Sequence, residues 1–581
     1  MNFNQRDRAS VLIELAEVAN GEREADLLIK GSRLFDVFSG NFFPADLAIY
    51  RGYIAFVGTA AQNSRETLEL NGCYGAPGLI DAHLHVESTL LMPPELARAV
   101  VKHGTTAIVH DPHEIANVFG IEGVQIMLDN AGDLPCDFFA TAPSCVPATT
   151  METAGGEISL DDISSLLADD RVAGLGEMMN YPGVISSDPD VYEKLAAAHR
   201  SGKVIDGHAP GLTGTDLQVY IGTGISTDHE TVTAEEALEK LALGMKIIIR
   251  HGSATSSLAE LLPLVNQTNC DRFMLGSDDR EAGDLLKKGH LNNILKEAVL
   301  LGADPALMLK IASYNAAHHY GLPDRGTIAP GKKADLVFFE DLKDFRAALV
   351  IKSGRVVASN GITSAIVKSC QVPDWAMNSV KLPRAIDQSA FKLDKPAGKI
   401  PVIGVIPGQL ITEKLYMDVK SDEAGQVQVD PGSGINKISV IERHGKRGLI
   451  AVGLIKGLGL LRGALASSVA HDSHNVIVAG ASEYSMAEAV NELARLGGGF
   501  VVAGSEGEIL AALPLPVAGL MSPEPASVVA DKMEHVLREA RNLGTDLPQP
   551  FLTLAFMALP VIPSLKITDK GLFDVDSFSF I

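Results

Sequence analysis

The chain has 581 residues, 46% of them hydrophobic and 21% charged, which suits a globular protein of two or three domains. Its formal net charge of −23 argues against nucleic acid or an anionic membrane as the main partner, because both reward a basic surface. The five cysteines, at 73, 136, 145, 270 and 370, form no CxxC pair, so a reduced, cytoplasmic chain without a disulfide framework is expected.

Residues 1–24, "MNFNQRDRASVLIELAEVANGERE", mix charges into a helical pattern and lack the unbroken apolar run of a signal peptide. Short β-rich runs punctuated by Gly, Asn and Pro follow, and the same texture returns in "GTIAPGKKADLVFFEDLKDFRAALVIKSGRVVASNG" at 326–361. Residues 25–76 and 323–370 are therefore predicted to be halves of one small β-sandwich domain, split by an insertion.

The insertion, residues 77–322, alternates apolar strands with helical stretches. The predicted strands are "GLIDAH" (78–83), "TTAIVH" (105–110), "DFFATA" (137–142), "VAGLGE" (172–177), "KVIDGH" (203–208), "GISTDH" (224–229), "KIIIRH" (246–251) and "RFMLGSD" (272–278). Eight strands over about 245 residues match the rhythm of a (β/α)8 TIM barrel, although a doubly wound sheet shares that alternation.

Residues 390–581 carry further strand-like runs and helices near 485–497 and 525–543, so a C-terminal α/β domain is predicted. Within it "GLIAVGLIKGLGLLRGALASSVAH" (448–471) is interrupted by Lys456, Arg462 and glycines, which fits a buried strand–turn–helix better than a membrane span.

The ends of the predicted barrel strands carry the chemistry. Strand one ends in His83 and His85, strand four in Glu177, strand five in His208, strand six in His229 and strand eight in Asp278. A closed parallel barrel finishes all its strands at one face, so these six groups converge there. A lone strand-end histidine is usually a satisfied polar residue, and Glu177 or Asp278 alone could cap a helix. The combination points instead to divalent metal, held by imidazole nitrogen and carboxylate oxygen. Asp81, two residues before His83, shares its strand face and is expected as a supporting partner in the barrel interior.

"PGLIDAHLHVES", "GEMMN", "DGHAP", "STDHE" and "LGSDDR", with "GTIAPGKKADLVFF", resemble the amidohydrolase superfamily of metal-dependent hydrolases. "HVESTLLMP", "DPHEIANVFG", "APSCVPAT" and "HDSHNVIVAG" narrow the likeness to the bacterial adenine deaminases, over nearly the whole chain.

The resemblance implies hydrolysis of adenine to hypoxanthine and ammonia, in purine salvage, by metal-activated water attacking C6. It implies two divalent metal ions, Mn2+ or Fe2+ before Zn2+: His83 and His85 on one, His208 and His229 on the other, Glu177 bridging, and Asp278 on the first metal. Single-metal deaminases of the superfamily place a Glu three residues after the strand-five histidine. Here that residue is Gly211, which favours the two-metal site.

Asp278 is expected to move the water proton. Glu114 and His113 are candidates for the ring nitrogen, Arg250, His251 and Ser253 for reading the base, and Asp472 and His474 of "HDSHN" for holding substrate. Cys145 reads as a small buried apolar residue. The expected partners are adenine and water, with no nucleic acid and no membrane, and the expected assembly is a homo-oligomer, written as a dimer. A dihydroorotase-like amidohydrolase acting on a cyclic amide or N-acyl group is the alternative enzyme. A non-catalytic assembly protein is the other alternative, disfavoured because all six ligands are present.

Overall fold

A computed structural model describes residues 5–59, 62–253, 255–396 and 398–581. A helix over Gln5–Ala19 precedes a nine-stranded sheet. That sheet joins strands from residues 25–77 to strands from residues 336–363, so both flanks of the middle region build one element. The join is antiparallel: Leu336–Phe339 pairs with Tyr74–Pro77, which leads straight into the first barrel strand.

All eight predicted strands of the middle region form. They are Leu79–Leu84, Thr105–His110, Asp137–Ala142, Val172–Met178, Val204–Gly207, Thr227–Asp228, Lys246–Arg250 and Phe273–Gly276. The first five pair in parallel in chain order, as do the last three, giving a curled, TIM-barrel-like α/β fold. Backbone hydrogen bonds stitch the two sheets at both seams: Ser226 N–H to the Ile205 carbonyl at 3.0 Å, and Asp278 N–H to the His83 carbonyl at 2.9 Å. Strands covered on both faces read as near-continuous apolar runs, which is why "TTAIVH" and "KIIIR" are buried at nearly every position.

Local signals set the helix ends between strands. Ser159 and Asp162 form a reciprocal capping box for Leu160–Ala168. Asp188 caps Pro189–Ser201, Pro189 occupies its first turn, and Gly202 closes it at φ 69°.

Residues 400–514 form an eight-stranded, mainly antiparallel sheet, with Glu483–Arg495 packed on one face. One expectation is corrected here. The glycine-rich apolar run is a strand, Ile450–Lys456, followed by a second strand, Ala464–Ser467, and not by a helix. Gly457, Gly459 and Gly463, all at positive φ, reverse the chain between them.

The other face of this sheet shares one apolar cluster with the barrel. Leu90, Leu91, Met92 and Leu96 pack in the same cluster as Val440, Leu465, Phe500, Val529 and Phe551. Among the described residues no helix is long and apolar enough to cross a membrane.

Because that cluster is continuous, a chain ending before Ile400 exposes the barrel half of it. Such a truncation is expected to bind a hydrophobic dye strongly and to sediment as aggregate, where the full chain does neither.

Candidate active site

The six strand-end groups meet at the C-terminal mouth of the barrel. Glu177 lies at the centre, buried, with its two oxygens divided between two sets of imidazoles. Oε1 is 3.3 Å from His85 Nε2 and 4.0 Å from His83 Nε2. Oε2 is 2.7 Å from His208 Nδ1 and 3.2 Å from His229 Nε2. Asp278 Oδ1 completes the first set, at 3.2 Å from His85 Nε2 and 3.5 Å from His83 Nε2.

The first set fits a divalent cation. Donors bound about 2.1 Å from a tetrahedral ion stand roughly 3.4 Å apart, close to the 3.2–3.5 Å separations in the first set. His83 Nε2 and Glu177 Oε1 are buried and have no hydrogen-bond partner among the described residues, a costly state unless a cation takes their lone pairs.

Outer contacts fix the donors. His85 Nδ1 lies 3.1 Å from the Asp111 carbonyl, which can only accept, so Nδ1 carries the proton and Nε2 presents its lone pair. The Asp111 carboxylate accepts the Glu177 N–H at 3.0 Å. That approach needs Gly176, because a Cβ there would stand 2.2 Å from Asp111 Oδ2. Asp81 accepts the backbone N–H groups of His83 (3.2 Å) and Ser277 (3.1 Å), tying strand one to strand eight, and pairs with the buried His290 at 3.0 Å.

Burial by itself would push the Glu177 carboxyl up. The charges and hydrogen bonds of His229 and His208 outweigh it and hold the group well below the usual carboxylate range. Asp278 behaves alike, its burial outweighed first by Arg250 and then by His83 and His85.

The cavity over these groups encloses about 480 Å³, counting its part open to solvent. His113, Glu114, Arg250 and Asp472 line it, as expected for substrate-facing groups. His113 Nδ1 is 3.4 Å from Glu177 Oε1, so this imidazole belongs to the metal-facing cluster as much as to the cavity. Arg250 is engaged: its Nη1 donates to Asp278 Oδ2 at 2.8 Å and contacts Glu230, so its charge serves two carboxylates.

Three residues take other places. The Ser253 hydroxyl donates to Asp284 Oδ2 at 2.8 Å and accepts from Glu281 N–H at 3.0 Å, at the start of the helix Ala282–Lys287. His474 stands behind Glu114, its Nε2 3.7 Å from Oε2. Its Nδ1 accepts the Ala470 N–H at 3.2 Å, which puts the proton on Nε2 and makes it a donor, not a metal ligand. His251, also weighed for reading the base, bonds Ser256 through Nδ1 at 2.7 Å.

Glu114 is held as an acid. The Ser88 hydroxyl lies 2.9 Å from Glu114 Oε1 and 2.5 Å from Asp279 Oδ1. One hydroxyl proton cannot serve both oxygens, so one of the two carboxyls is itself protonated. Burial, and then the Glu87 carboxylate, push Glu114 up to about 8, while burial and Asp278 also push Asp279 up.

The sequence reading missed several lining groups. Glu230 and Asp279 adjoin ligands in "STDHE" and "GSDDR", and His471 begins "HDSHN". Burial pushes His471 down to about 4, so it is neutral, and its ring stacks on Phe556 at 4.6 Å. Leu410, Phe556, Leu559, Val561 and Ile562, all from the C-terminal region, roof the cavity; nothing in their apolar character distinguishes them from core.

The chain matches the amidohydrolase family over residues 75–357 and the adenine deaminase C-terminal domain over residues 409–579. "Adenine deaminase 2" of Carboxydothermus hydrogenoformans is 44% identical to it, over 98% of both chains. An "Adenine deaminase" of Nitratidesulfovibrio vulgaris is 45% identical and one of Methanothrix thermoacetophila 44% identical, each over 98% of both chains.

The two polar contacts assigned differently here separate kinetically. Ser253→Ala, beside a helix start, is expected to leave the Michaelis constant within about two-fold, since losing its hydrogen bonds to Asp284 and Glu281 costs stability of about 1 kcal/mol and no substrate contact. Asp472→Ala, on the cavity wall, is expected to lower kcat/KM by at least about ten-fold, the cost of one lost polar contact of 1.4 kcal/mol. Steady-state kinetics on both variants checks this.

Proposed function

We propose a mechanism for a chain that belongs to the adenine deaminase family of the amidohydrolases: it hydrolyses a C–N bond, releasing ammonia from C6 of adenine and leaving hypoxanthine. The observation that carries the mechanism is the division of the Glu177 oxygens between two imidazole sets at the barrel mouth.

His83, His85 and Asp278 would hold one divalent cation and His208 and His229 a second, with Glu177 between them. Manganese or iron is favoured over zinc. The pair supplies the positive charge that makes water acidic enough to attack at neutral pH.

The protein's own groups do the rest. Asp278, whose Oδ2 is fixed by Arg250, is the carboxylate beside the cation set and would take the water proton. As oxygen bonds to C6, negative charge develops on the ring, and Glu114 donates its proton to a ring nitrogen. Asp278 passes its proton to the exocyclic nitrogen, the C6–N bond breaks and ammonia leaves. The proton remaining on the new C6–O group restores Glu114 to its acid form. Of the two water protons, one departs on ammonia and the other restores Glu114, whose original proton stays on the ring nitrogen.

His113 and Asp472 line the cavity where they can orient the base, and the neutral His471 stacked on Phe556 offers a flat apolar wall. The roof of Leu410, Leu559, Val561 and Ile562 keeps bulk water from the developing charge.

The reading extends to the chain's organisation. The helical segment proposed for 1–24 has its described helix at Gln5–Ala19; 25–76 with 323–370 would be the split β-sandwich domain, 77–322 the (β/α)8 barrel and 390–581 the C-terminal domain. The enzyme would serve purine salvage in the cytoplasm as a homodimer.

The test is ammonia release from adenine, with dihydroorotate as control, before and after chelation and reloading with Mn2+, Fe2+ or Zn2+. Adenine turnover that follows the metal supports the reading; metal-independent turnover overturns it. Glu114→Gln should lower kcat by roughly 10²–10⁴-fold, the usual worth of a general acid. Glu114 is protonated below its raised pKa of about 8 and ionises above it. Wild-type kcat should therefore fall about ten-fold per pH unit on the alkaline side, and the residual activity of the glutamine variant should lose that limb.

A further inference from the structure

Lys240 is completely buried on the helix Ala234–Ala242, outside the reaction cavity, in a place where an ammonium is expensive. Its Nζ donates to the Ala209 carbonyl at 2.7 Å, Asp228 Oδ2 at 3.0 Å, Thr231 Oγ1 at 3.1 Å and Glu236 Oε1 at 2.6 Å. Asp228 Oδ1 accepts the Ala209 N–H at 2.8 Å. Both backbone polar groups of Ala209 are thus tied to a single ion pair. Ala209 directly follows His208 and Asp228 directly precedes His229, so the pair grips the neighbours of two ligands on adjacent strands.

Tyr220 repeats the device one strand earlier. Its hydroxyl, also fully buried, accepts the His208 N–H at 2.9 Å and donates to the Met178 carbonyl at 2.8 Å. Met178 directly follows Glu177. The links to Ala209, Asp228, His208 and Met178 fall on or beside Glu177, His208 and His229, and no link touches His83, His85 or Asp278. The first set has separate supports in Asp81, the Asp111 carbonyl and Arg250.

We propose that Tyr220 and the Lys240–Asp228 pair are positioning residues for the second cation alone, setting the spacing of His208 and His229 around Glu177 Oε2. A buried ion pair is a poor source of stability compared with apolar packing of the same volume. Its return is geometric. Three ligands on three separate strand ends cannot keep a sub-ångström spacing through sheet pairing alone, particularly when strand six pairs with its neighbour over Thr227 and Asp228 only.

The inference rests on the two-cation reading above, and the test distinguishes failure of one from failure of the other. The full-length protein is stripped, titrated with Mn2+ and followed by elemental analysis and electron paramagnetic resonance, where two adjacent Mn2+ ions give a spin-coupled signal and one gives six lines. The variants are Tyr220→Phe, which introduces no charge imbalance, and Lys240→Met combined with Asp228→Asn and Glu236→Gln, which removes the ammonium together with both carboxylates paired with it.

Both variants should keep the wild-type circular dichroism, hold one Mn2+ with wild-type affinity and bind the second roughly 10- to 100-fold more weakly. The coupled signal should give way to six lines at limiting metal and return, with turnover, at excess. Variants that bind two ions as wild type does, or lose both equally, overturn the proposal. A wild-type protein that never holds two ions overturns the reading beneath it.

Discussion

Six ionisable groups crowded into a water-poor barrel mouth are the constraint to which the rest of this structure answers. Carboxylates and imidazoles within 4 Å of one another, almost wholly buried, are stable only if each lone pair and proton has a fixed address. Glu177 meets that condition by facing two sets of histidines at once, and its own position is held from behind by Asp111 across Gly176. Asp278 meets it by turning one oxygen to Arg250 and the other to the histidines. Asp278 also sits at φ 51°, a left-handed conformation that costs a non-glycine residue about 1 kcal/mol or more, held here by its backbone bond to strand one.

The same constraint explains why the barrel does not stand alone. A polar mouth open to water would screen the charge on which the reaction depends. The C-terminal region removes that water with a roof whose lining is apolar, while "HDSHN" brings His471 and Asp472 to its edge. Anchoring such a roof requires a large contact, and the apolar cluster shared by Leu90–Met92, Phe500 and Phe551 provides it. What reads as a separate domain in sequence is, in packing, the other half of the active-site wall.

The barrel strands and the six strand-end groups were legible because each imposes a local pattern: an apolar run, then a polar group where the run ends. Glu114 and Asp472 were legible as polar residues in dense motifs. The roof was not, since Leu559, Val561 and Ile562 look like any buried residues until the fold shows what they cover. Ser253 was misplaced for a related reason. Composition shows that a hydroxyl follows strand seven, whereas Asp284 and Glu281 decide its direction. The glycine-broken run at 448–471 carried no period from which to choose strand or helix after the turn, and strand pairing with Val476–Gly480 decided it.

The ligands are complete by Asp278, but the first roof residue, Leu410, comes some 130 positions later. At translation speeds of about 5–20 residues per second, that gap lasts roughly 7–26 s. During it the nascent barrel mouth has its donors but no cover. A cation that these groups would hold could therefore be loaded before enclosure, without the finished chain having to open a buried site.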